Sequence, residues 1–151
     1  MRLYVFVNKG MSGIQAGIQA LHAATKLVAQ TSDEFEYIND WALKHQTTCV
    51  LDGGDHASLL TIRSHLIDDC GLWDEEVSIF REETFNDSVT AVAIVADTKV
   101  CEYMVEFKSI KRNGILRKEE RESSLMKLDH SYDASVVNTG KYLMKFRSHR
   151  G

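Results

Sequence analysis

Four short runs of β-forming residues, Leu3–Val7, Thr47–Leu51, Val77–Arg81 and Val89–Ala96, punctuate the chain, and stretches of helical periodicity lie between and after them. Continuous apolar runs this short read as covered strands, and the resulting order β-α-α-β-α-β-β-α leaves few topologies open. Strands joined through helical crossovers pair in parallel. The last two, joined by the polar stretch Glu82–Ser88, pair antiparallel through an irregular hairpin or a loop over the sheet's end. The expectation is an α/β fold: a three-layer α/β/α arrangement with a four-stranded mixed sheet over residues 1–98, and a C-terminal helical and strand extension of the same domain over residues 99–151. With 151 residues, 44% of them hydrophobic, the chain suits one core rather than two.

The stretch Gly10–Ala29 follows the first strand directly and reads as a helix with Ser12 at its N-cap and Gln15 completing a capping box. Ile14, Ile18, Leu21, Thr25 and Val28 recur at helical spacing, which predicts an apolar stripe. Gln15, Gln19, His22 and Lys26 follow the same rhythm one position on, a ridge of hydrogen-bonding groups rather than an ordinary solvated face. Thr31 and Glu34 repeat the start signal for a second helix reaching about Lys44, with Phe35, Ile38, Trp41 and Ala42 inward. Asp52–Asp55 reads as a turn ending in a cap for a third helix, His56–Cys70, packed through Leu59, Ile62 and Leu66 and stopped by Gly71.

A helix over Lys99–Arg112 is expected to gather Cys101, Met104, Val105 and Lys108 on one side. The mixed-charge run Arg117–Ser124 reads as a solvated helix or a mobile linker. Beyond it, Val136-Val137 and Tyr142–Phe146 flank Asn138-Thr139-Gly140, which predicts a small strand or hairpin packed back on the body. In such sheets ligands sit where strands end and helices begin, here Asn8–Gln15, Asp52–Asp55 and Glu82–Ser88.

A net charge of −4 argues against a broad basic surface, and Lys145, Arg147, His149 and Arg150 form the one clear basic cluster. No apolar run is long enough for a membrane span, and Met1-Arg2 leads into a strand without a signal-peptide pattern. Three widely spaced cysteines, Cys49, Cys70 and Cys101, read as free thiols, consistent with a cytoplasmic location. His45 and Cys49 lack a second pair at ligand spacing, so no metal is expected. Two flanking aspartates make Asp52-Gly53-Gly54-Asp55 a plain turn and cap rather than a phosphate cradle.

The segment QAGIQALHAA, after an apolar strand and a glycine-containing turn, resembles the A-x-Q-x-x-H-A helix of the archaeal and eukaryotic type of peptidyl-tRNA hydrolase. TTCVLDGGDHASLLTIRSHLIDDCGL is similar to that family's second strand and following helix, VSIFREET to its third strand and SVTAVAIV to its fourth, over about residues 2–97. The resemblance implies hydrolysis of the ester joining a peptide to the terminal ribose of tRNA, without a cofactor. By position it implies roles for Gln19, His22, Thr84 and Thr90. The family carries a lysine where this chain has Gln15, and an Asp-Ala-Gly-like turn where it has Phe80-Arg81-Glu82-Glu83 before Thr84. The chain also looks, more loosely, like small proteins of T4-type bacteriophages, which implies a host-takeover or anti-defence role in the host cytoplasm.

An ester hydrolase acting on RNA needs a cation for phosphate or oxyanion and a group that orients and deprotonates water. The leading expectation is therefore a binding protein for a nucleotide, an RNA end or a host protein, whose pocket keeps Gln15, Gln19, His22 and Thr84, with Asn8, Lys9, Lys26 and Thr90 contacting the ligand. The competing expectation is an active hydrolase in which Lys9 or Lys26 supplies the cation and Glu82 or Glu83 the carboxylate. A third is an inhibitory or structural protein acting through an exposed apolar patch in its C-terminal third. Oligomeric state has no signature in the sequence.

Overall fold

A computed structural model describes residues 1–149. Strand β1 (Arg2–Val7) lies inside a four-stranded sheet of order β2-β1-β4-β3. Its neighbour β2 (Thr48–Asp52) runs parallel, with Val5 opposite Val50. On its other side β4 (Ser88–Ala96) runs antiparallel, with Val5 opposite Ala93. Strand β3 (Ser78–Glu82) pairs antiparallel with β4 at the edge, its register shifting between Phe80 and Arg81. The two inner strands are the two continuous apolar runs, buried at every position but Arg2 and Ser88, because both of their faces are covered.

Alternation along the strands divides the core in two. Leu3, Val5, Val7, Ala91, Ala93 and Val95 pack against α1 (Gly13–Gln30) and the helical run that follows it. Tyr4, Phe6, Val92, Ile94 and Ala96 face α3 (His56–Asp68), α4 (Thr98–Arg112), α5 (Lys118–His130) and α6 (Ala134–Leu143). Leu128, Val136, Val137 and Leu143 belong to this second cluster, so the C-terminal helices share a core with the sheet. The α/β architecture with helices on both faces is the one expected from the order of elements.

The sequence reading of α1 is overturned at its faces. The residues turned inward are Ala16, Gln19, Ala20, Ala23 and Leu27, whereas the expected apolar stripe points outward, with Ile14 80% and Leu21 65% exposed. Small side chains let the helix lie close on the sheet, and this rotation brings the Gln19 ridge against β3.

The second helix is also altered. Ser32, not Thr31, precedes it, and Thr31 instead donates its hydroxyl to the Leu27 carbonyl at 2.5 Å. It consists of a 3-10 turn at Asp33–Phe35, a short α2 (Glu36–Asp40) and a wide turn at Trp41–His45 that ends in left-handed Gln46. Trp41 explains the late distortion, since its buried indole must reach the Thr47 carbonyl, 2.9 Å away.

In α4 the inward residues are Val100, Tyr103 and Met104, while Val105 is exposed. The Arg117–Ser124 charge run is largely helical, in α5. The expected C-terminal hairpin is α6 instead: Val136, Val137, Gly140 and Leu143 keep helical spacing, and a Cβ on Gly140 would meet the Tyr103 ring at 2.5 Å. That glycine serves close helix packing, not a turn. After α6 the chain returns to the edge of β2, where Ser148 bridges Leu51 and the Asp52 amide donates to the Arg147 carbonyl at 3.0 Å. Arg150, part of the expected basic cluster, lies outside the described residues.

Candidate functional site

The strand order places three loops side by side along one edge of the sheet. The β1 loop is fixed by its own backbone: the Asn8 amide donates to the Thr90 carbonyl at 3.0 Å, Lys9 to that of Gly54 at 2.8 Å, and the Asn8 side chain accepts from Gly10 at 2.9 Å. The loop after β2 comes close because Gly53 has no side chain; a Cβ there would meet Leu59 at 2.5 Å. Asp55 then caps α3 by accepting from Ser58 at 2.9 Å, and these hydrogen bonds hold its carboxyl below the usual range. This loop is the plain turn and cap expected.

Adjacent strands lie about 4.8 Å apart, so three spacings span roughly 15 Å. At the β2 end, Lys9, Asp52, Arg147, Ser148 and His149 surround a cavity of about 240 Å³. Between β1 and β4 a cleft of about 360 Å³ is lined by Asn8, Gln15, His56, Phe85, Ser88 and Thr90, among others. At the β3 end the buried Gln19 amide joins two strands: it donates to Glu82 Oε2 at 3.0 Å and accepts from Thr90 Oγ1 at 2.6 Å. Thr84 donates to the other Glu82 oxygen at 3.1 Å.

Hydrogen bonds from Gln19 and then Thr84, with a smaller contribution from His22, keep the Glu82 carboxyl below the ordinary carboxylate range. It is ionised at neutral pH, has no proton to give as an acid, and is a weak base. His56 accepts the Val89 amide at Nδ1, 2.8 Å away, which leaves Nε2 to carry the ring's proton. Among the described residues no three His, Cys, Asp or Glu side chains gather as metal ligands.

Asn8, Gln15 and Thr90 line the cleft, and Lys9 lines the cavity beside it. Gln15 also closes the helix cap, accepting from the Ser12 amide at 3.1 Å. Gln19 and Thr84 meet on Glu82, whereas Glu83 lies exposed in the turn that follows. His22 is outside the cleft, exposed on α1 with its ring edge-on to Phe80 at 4.6 Å. Lys26 is farther along the same ridge, donating to the Ile79 carbonyl at 2.9 Å. Both lie farther along α1 than Gln15, by roughly 10 and 16 Å at about 1.5 Å per residue, so only the start of the ridge reaches the cleft and the rest lies along β3.

Sequence reasoning placed the connection Glu82–Ser88 at this edge without singling out Phe85 or Ser88, and it missed His56. Nothing local marks these three side chains, since they enter through the close approach of the α3 start and the β3–β4 connection. No protein-family model matches the chain, and no curated protein matches it.

Proposed function

We propose that this protein binds a phosphate-bearing ligand, a nucleotide or the end of an RNA strand, along the carboxyl edge of its sheet. The observation that carries this reading is the meeting of Lys9, Arg147 and His149 around one cavity, next to a cleft of uncharged donors and acceptors. Phosphate suits the first, with Asp52 moderating its field, and ribose hydroxyls suit Asn8, Gln15 and Thr90 in the second. Phe85, half exposed beside the cleft, offers a face for base stacking. The likeness to peptidyl-tRNA hydrolases makes the terminal ribose of tRNA the natural candidate. The looser likeness to T4-type phage proteins points to a host-directed role in the host cytoplasm.

Binding rather than turnover is favoured by the chemistry of the site. Among the described residues no lysine or arginine lines the cleft, and the carboxylate beside it is tied up by two donors. One observation favours the second reading, an active hydrolase: Glu82 joins Gln19 and Thr84, where the resemblance calls for a carboxylate.

Fluorescence anisotropy with a short ribo-oligonucleotide ending in CCA separates these readings from a site with no such ligand. Saturable binding is expected, and Lys9→Ala and Arg147→Ala should each lower the salt-dependence slope by about 1. Wild-type affinity in both variants contradicts the proposal. Hydrolysis of blocked aminoacyl-tRNA by the wild type, abolished in Glu82→Gln, would establish the enzyme instead.

A further inference from the structure

At the opposite end of the sheet, where β4 leads into α4, lies a second cavity, of about 250 Å³. Its lining brings together the run after α1, the segment Gly71–Glu76 and the start of α6. Two carboxylates, Glu76 and Asp97, line it, and among the described residues no lysine, arginine or histidine does. Glu76 is only 8% exposed, yet among the described residues it has no ion-pair partner. It is held by the Tyr37 hydroxyl on one oxygen and by the Trp73 amide, 2.7 Å away, on the other. Each oxygen keeps a free lone pair.

The walls are aromatic. Phe35 and Tyr37 stand at 87° with centroids 6.5 Å apart, and Trp73, 68% exposed, lines the same cavity. Thr139 lines it too, 2% exposed, with the Cys70 thiol beside its hydroxyl.

We propose that this cavity binds an alkylated ammonium group. Two full negative charges outweigh the starts of α4 and α6, each worth about half a positive charge, and Asp97 already engages the first by capping Val100 at 2.8 Å. An anion would meet both carboxylates. A hard metal ion requires six or more oxygen ligands or retained waters, which apolar walls do not supply. A methylated ammonium fits both features at once: its charge is weakly hydrated, ring faces attract it, and a buried carboxylate neutralises it. The volume, about eight waters at ~30 Å³ each, accommodates a quaternary headgroup on a short chain.

The group has two sources, a free quaternary amine or a trimethylated lysine of a partner protein, and one experiment tests both. Calorimetric titration of the full chain uses tetramethylammonium, choline and a short trimethyllysine peptide, with sodium and glutamate at matched ionic strength as controls. Saturable binding of the methylated cations alone is expected, weakened about tenfold in Trp73→Ala, whose exposed side chain leaves the fold intact. Glu76→Gln should abolish binding. Because that change could also loosen Tyr37, the tryptophan variant decides. Tighter binding of the peptide than of choline assigns the ligand to a partner protein, and the reverse assigns it to a small amine. Absence of binding by every methylated cation, equal affinity in Trp73→Ala, or preference for glutamate would overturn the proposal.

Discussion

On the side turned to the sheet, α1 presents Ala16, Ala20, Ala23, Leu27 and an amide, Gln19; on the side turned to solvent it presents Ile14, Ile18 and Leu21. Apolar area alone would choose the reverse, since burying each large aliphatic side chain is worth roughly 1.5–3 kcal/mol. Fit decides otherwise. Alanines let the helix settle against Val5, Val7, Ala91 and Ala93, and the Ala23 carbonyl accepts the buried Ser78 hydroxyl at 2.7 Å. The same rotation satisfies Gln19 through Thr90 and Glu82 and lays His22 and Lys26 along the edge strand. A helix's most apolar stripe is therefore not always its inner face. Close approach and a partner for a buried polar group can outweigh it.

Substitutions on the two sides can break this comparison. The largest effect is expected at Leu27, fully buried, where Leu27→Ala should cost about 2–5 kcal/mol in denaturant unfolding. Next, Ala23→Leu should cost about 1–3 kcal/mol, because the close contact of this fully buried residue leaves no room for an isobutyl side chain. A gain in stability there would mean the helix is not seated as described.

Gln19→Leu should cost about 1–3 kcal/mol by leaving the buried Thr90 hydroxyl without its acceptor. That variant also carries a pH signature. Glu82 has a folded pKa below its unfolded value, so it contributes stability above the unfolded carboxylate pKa and loses that contribution as pH falls through the lower, folded one. Removing the Gln19 donor should narrow this gap and flatten the fall in stability as pH drops below the ordinary carboxylate range. The smallest effect belongs to the outer side: Ile14→Ser and Leu21→Ser should each stay within about 0.5 kcal/mol of wild type. A loss comparable to that of Leu27→Ala would reverse the assignment of faces.

Local signals read well. The four strands follow continuous β-forming runs to within a residue or two, and the Ser12–Gln15 box caps α1 as its spacing indicates. What escaped depends on distant neighbours. Gly140 looks like a turn until Tyr103 is placed against it. Trp41 looks like an ordinary helical residue until its indole is required at Thr47. Exposed large apolar side chains lie on α1, at Ile14, Ile18 and Leu21, as well as in the C-terminal third, at Val105, Ile115 and Met126.

The site divides the same way. Periodicity placed Gln15, Gln19, His22 and Lys26 on one ridge, which is correct, yet no spacing reveals that the ridge faces β3. The Gln19–Thr90 bond joins residues 71 positions apart, and the cavity at Lys9 depends on Arg147 and His149 at the other end of the chain. Only the strand order, with β1 between β2 and β4, makes these groups neighbours.

The most direct test of ligand binding at the carboxyl edge is a ¹⁵N NMR titration of the full chain with a short CCA-ended ribo-oligonucleotide. The expected result is saturable shifts in the amides of Asn8, Lys9, Gly54 and Arg147 to His149, with Val95 to Asp97 at the far edge unmoved. Shifts confined to the outer side of α1, or none at millimolar RNA, would contradict it.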